Sequence, residues 1–122
     1  MTDTATAYPA MTREEFRSYV ERTKREAVEF RNRFWAVLDQ HDCFRCTKAE
    51  TDCRGRSYVM AATLTRSVYP GVVWQLTYFD GEEATGHIGL SLTDEAAREI
   101  RGLLRNGFVP DVEFRDALGW KG

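Results

Sequence analysis

The chain of 122 residues contains no apolar run approaching the ~18 residues of a membrane-spanning helix, so no segment reads as a span. Three prolines and nine glycines exclude collagen-like and proline-rich chains. The three cysteines are odd in number and sit between Cys43 and Cys53, which argues against a secreted disulfide framework. Charge of one sign is also lacking. Seventeen Lys and Arg against nineteen Asp and Glu leave a net charge of −2, too little to draw the whole protein onto phosphate or anionic lipid. The opening residues 1–10 have neither a basic start nor an apolar block, and with the cysteine usage this predicts a cytoplasmic protein with no membrane partner.

Catalytic signatures are absent too. No G-x-S-x-G elbow, H-E-x-x-H helix, G-x4-G-K-[ST] phosphate loop or strand-linked G-x-G-x-x-G occurs. Glu82-Glu83 stands at a turn and Asp94-Glu95 at a helix start, where solvation and the helix dipole account for them.

What the chain does have is bulk for a core. Seven Phe, five Tyr and three Trp can be buried. For a mass of 14.0 kDa, around two thirds of the unfolded surface disappears on folding, enough for one core and no second. The expected organisation is a disordered tail over 1–11, a single α+β domain over 12–116 and a C-terminal tail over 117–122.

Thr12, followed three residues later by Glu15, predicts a capped helix start. From there Phe16, Val20, Thr23, Ala27, Phe30, Phe34 and Val37 recur at steps of four and three, and neither Gly nor Pro interrupts 12–40. A helix of that length spans roughly 40 Å, longer than so small a domain needs. Its stripe either packs along its own sheet or pairs two copies of the chain as a homodimer.

Residues 39–56 lose the helical period and read as a loop or small knuckle. Three antiparallel strands follow by alternation over 57–66, 72–80 and 84–92, joined at Tyr69-Pro70-Gly71 and Asp80-Gly81. One face would carry Tyr58, Met60, Ala62 and Leu64, then Val72, Trp74, Leu76 and Tyr78, then Ile88, Leu90 and Leu92. The other would carry Thr63, Thr65, Gln75, Thr77, Thr85, His87 and Ser91. Thr93 is the expected cap of a second helix that Gly107 stops, and 108–114 alternate as a short edge strand. The order is thus α-β-β-β-α-β, with helices on one face of the sheet and a threonine-rich face left open. In size, acidity and element order the chain resembles secretion-type chaperones, a resemblance that no motif carries.

Four sets of residues bear on function. His41, Cys43, Cys46 and Cys53 offer three thiolates and an imidazole for one structural zinc; the other readings are free, partly buried thiols, or redox use of Cys43 and Cys46. Arg45, Lys48, Arg54 and Arg56 could form a nucleic-acid patch in the same loop, although Asp42, Glu50 and Asp52 lie among them. Gln75, Thr77 and His87 on the open face could serve a small polar ligand. Phe16, Val20, Phe30, Phe34 and Trp120 are apolar side chains to offer another protein. The leading expectation is a non-catalytic interaction, inhibitory or regulatory module, an accessory protein of bacterial or mobile-element type. A zinc-stabilised nucleic-acid binder using 41–56 and a His87-centred ligand site or enzyme are the alternatives.

Overall fold

A computed structural model describes residues 10–121. The expected tail over 1–11 falls almost wholly outside them. Thr12 is the N-cap of the first helix, its hydroxyl accepting a hydrogen bond from the Glu15 amide at 3.1 Å. This helix, α1 (Arg13–His41), ends where Asp42 turns left-handed at φ 55 and donates its amide to the Leu38 carbonyl at 2.8 Å. Four strands follow as a meander: β1 (Phe44–Thr51), β2 (Ser57–Arg66), β3 (Trp74–Asp80) and β4 (Glu83–Leu90). Then come α2 (Thr93–Arg105), the two-residue β5 (Val109–Pro110) and α3 (Val112–Leu118). The architecture is α+β, with one antiparallel sheet ordered β4-β3-β2-β1-β5.

The three expected strands are present, and β1 precedes them where a loop was expected over 39–56. Its turn is built by Asp52, whose carboxylate accepts from the amides of Arg54 and Arg56 at 2.8 and 2.9 Å, while Gly55 supplies φ +77. Phe44 and Cys46 point into the core and Arg45 away from it, which is strand alternation. The expected edge strand over 108–114 contracts to Val109–Pro110, because Pro110 has no amide to extend a ladder and the chain enters α3 two residues later.

The sheet buries its even-numbered face. Phe44 and Cys46, Ala62 and Leu64, Trp74 and Leu76, and Leu90 form one cluster with Phe34, Val37 and Leu38 of α1, Ala96, Ala97 and Ile100 of α2, and Phe114 and Leu118 of α3. Aromatic edges tie the layers: Phe34 meets Phe44 at 5.2 Å and 73°, and Phe44 meets Phe114 at 5.0 Å. Ile88 and Leu92, expected on the buried face, are 40% and 61% exposed. They belong to an edge strand and its exit, where the sheet has run out from under the helices.

The helix α2 carries the chain from one sheet edge to the other. Thirteen residues at 1.5 Å span about 20 Å, which matches the roughly 19 Å of four strand spacings between β4 and β5. Thr93 does not cap it: Leu92 is the N-cap, and the Thr93 hydroxyl instead accepts from the buried Trp74 indole at 3.2 Å. An indole N–H in the core needs an acceptor, and that need outweighs the first-turn amide.

The C-terminal segment 117–122 is not a free tail as far as it is described. Leu118 is buried, Gly119 caps α3 at φ +66, and Trp120 donates its amide to the Arg115 carbonyl at 3.0 Å while packing on the core.

Candidate functional site

The strand β1 separates the expected metal ligands. His41 ends α1 with its ring edge-on to Phe114 at 5.0 Å, Cys43 is half-buried before the strand, Cys46 lies in the core, and Cys53 is exposed beyond the far end. At about 3.3 Å per residue, Cys46 and Cys53 stand some 20 Å apart along the chain. One tetrahedral zinc holds its sulfurs at about 2.3 Å and cannot bridge that gap. Among the described residues no three His, Cys, Asp or Glu side chains are grouped to hold a metal ion. Burial pushes the Cys46 thiol up to about 12, the nearby Asp111 carboxylate adds to the rise, and Arg45 offsets part of it. The thiol is therefore neutral at physiological pH and acts as a small apolar side chain.

The expected nucleic-acid patch is neutralised locally. Arg45 pairs with Asp111 at 2.9 Å, Lys48 with Glu50 at 2.9 Å and Arg56 with Asp52 at 3.1 Å. The backbone amides of Arg56 and Arg54 and the Arg56 guanidinium, all donating to Asp52, hold its carboxyl below the usual carboxylate range, the Arg56 backbone amide contributing most. Only Arg54 of the four has no acidic partner among the described residues.

Gln75, Thr77 and His87 share the odd-numbered face. Register places His87 opposite Thr77, Thr77 opposite Thr63 and Thr63 opposite Arg45, a polar row across four strands. His87 is exposed on the edge strand, and neither of the two grooves described below includes it.

The expected partner-binding residues divide between core and surface. Phe34 is fully buried and belongs to the core. Phe30 is half-buried, stacked on Phe34 at 5.8 Å and 14°. N-terminal to Phe34, no described residue of α1 is buried: Phe16 is 58% and Tyr19 44% exposed, and Val20, Thr23 and Ala27 are half-covered. From Arg13 to Glu26, before the residues that face α2, that is about 20 Å of helix carrying a continuing apolar stripe past the core.

Two grooves flank α1 where it meets α2. The first, of about 390 Å³, runs between Ala27, Val28 and Arg31 of α1 and Arg98, Arg101 and Arg105 of α2. The second, of about 370 Å³, shares Phe30, Arg101 and Arg105 and reaches Trp120. The residues Asp94, Arg98, Arg101 and Arg105 step by four, three and four and so form one row along α2. Sequence reading missed this row because its charges cancel against Glu95 and Glu99 when counted along the chain, whereas the helix segregates them by face; the i, i+3, i+7 spacing was the available signal.

Comparison with known protein families, with characterised proteins and with solved structures finds no match to this chain. Among the described residues no helix is long and apolar enough to cross a membrane.

Proposed function

We propose that the protein is a non-catalytic protein–protein interaction module whose projecting α1 stripe pairs with the same stripe of a second copy. The observation that carries this reading is the contrast along one helix face: Phe34 and Val37 are fully buried, whereas Phe16 and Tyr19, on or beside the same stripe, are 58% and 44% exposed. An amphipathic face continuing past its own core is a surface waiting for a second helix. Charge supports a self-partner. Residues 13–33 carry seven basic and five acidic side chains of interspersed sign, so two copies approach without strong repulsion.

Sedimentation velocity at tens of micromolar tests this. A dimer is expected, and Phe16→Glu with Val20→Glu should give a folded monomer whose melting temperature no longer depends on protein concentration, because neither side chain belongs to the core. A wild type that stays monomeric at that concentration would overturn the self-pairing. The zinc-dependent and His87-centred readings gain no comparable support, since their residues are spread along strands or left on an open edge.

A further inference from the structure

The α1–α2 groove has a property that self-pairing does not use: its cations are short of acceptors. Arg31 has its Nε buried with no hydrogen-bond partner. Its remaining contacts are long, 3.9 Å to Asp94 and 3.5 Å to the Asn32 side chain, while the guanidinium lies over the Trp35 ring at 4.9 Å. Across the groove, Arg98, Arg101 and Arg105 make no salt bridge among the described residues. Four guanidiniums with one loosely held carboxylate between them form an anion-seeking surface.

The spacing of the row selects the anion. Arg98 and Arg105 are seven residues apart, about 10.5 Å along the helix axis, with Arg101 between them. Carboxylates at i, i+3 and i+7 of a second helix repeat at the same interval, so one helix laid along α2 meets all three arginines in register. The groove floor accommodates such a neighbour. Ala27 and Ala97 are small, and at Gly102 the position of a side chain has nothing within 4 Å, which leaves a notch for close backbone approach. Beside the row, Phe30 and Trp120 offer apolar contact for the partner's other stripe.

We infer that the groove between α1 and α2 docks an acidic amphipathic helix of a partner protein, its carboxylates lying along Arg98, Arg101 and Arg105 and one of them reaching Arg31. The inference rests on the reading of the protein as an interaction module, but the arginines that carry it, Arg31 and the α2 row, are not members of the stripe that Phe16 and Val20 begin.

The probe is a fluorescein-labelled, alanine-based helical peptide of about 18 residues with Glu at i, i+3 and i+7 and Leu on the adjoining stripe, followed by anisotropy against the full chain. Binding should weaken with salt, and should fall about tenfold for Arg98→Ala with Arg101→Ala, as loss of two exposed ion pairs implies. Gly102→Leu should weaken binding without lowering the melting temperature, since the new side chain fills only the notch. A peptide with Gln in place of Glu should not bind. Equal affinity of the wild type and the double arginine variant overturns the inference, as does tighter binding of a single-stranded oligonucleotide than of the peptide, which would make the row a phosphate site. The two readings fail separately. A monomer that binds the peptide through the arginines removes self-pairing alone, and a dimer indifferent to the peptide removes this inference alone.

Discussion

Cys46 allows the placement of β1 to be tested by chemistry. In the fold its side chain has no exposed surface and its thiol is held up to about 12, against an ordinary 9.0. The perturbation is alkylation with iodoacetamide in the native state, read by intact mass. Cys53 is exposed and should react first, Cys43 more slowly, and Cys46 only after denaturant is added. At neutral pH the displacement lowers the Cys46 thiolate fraction by about a thousandfold before burial limits access further. The same displacement makes stability depend on alkaline pH. A thiol with a raised folded value binds its proton more tightly when folded, so its contribution is fully present below about pH 9 and is lost as pH climbs towards 12. The full difference amounts to about 4 kcal/mol, a substantial share of the stability of a small domain. Tyr78, whose hydroxyl burial also raises, acts in the same direction. Urea midpoints between pH 8 and 11 should therefore fall for the wild type and fall less for Cys46→Ala. Rapid native alkylation at all three cysteines would refute the buried strand, and one zinc ion protecting all three together would restore the metal loop in its place.

Other outcomes follow from packing and local geometry. Phe34→Ala should cost about 3–5 kcal/mol in urea unfolding, because the ring is fully buried between Phe30 and Phe44, whereas Phe16→Ala should stay within about 0.5 kcal/mol when measured on the monomer. At Gly89 an added Cβ would stand 2.9 Å from Val72 Cγ1, so Gly89→Ala should lower stability by about 1–3 kcal/mol, and Val72→Ala in the same chain should recover most of it; no recovery would mean that the strain lies in the edge strand itself. Asp52 should titrate below the ordinary aspartate value by NMR. Its lowered value means that its contribution to the β1–β2 turn is present above the ordinary carboxylate range and disappears as pH falls through the folded value, and Asp52→Asn should remove that acid dependence.

The elements that were legible in advance are those whose signals are local and repeated. Thr12 with Glu15 marks the α1 start, the four-three stripe from Phe16 to Val37 marks its length, and Gly81 at φ +62 makes the two-residue hairpin between β3 and β4. The strand β1 was obscured because only Phe44 and Cys46 give it apolar alternation, while Lys48 and Glu50 pair with each other on the same face and mimic a solvated loop. Three closely spaced cysteines reinforced that impression. Their spacing has metal-site meaning only if the backbone folds back between them, and an extended strand holds them apart.

By its own periodicities and caps, the sequence determined a long amphipathic helix, an antiparallel meander and a second helix ended at Gly107, because each depends on neighbours within a few residues. Tertiary structure alone decided that β5 would close the β1 edge while β4 stayed open, that Trp74 would claim the Thr93 hydroxyl, and that α2 would set its arginine row beside Arg31 of α1. These are contacts between residues tens of positions apart. They arise from the length of α2 matching the width of the sheet, a distance that no local pattern encodes.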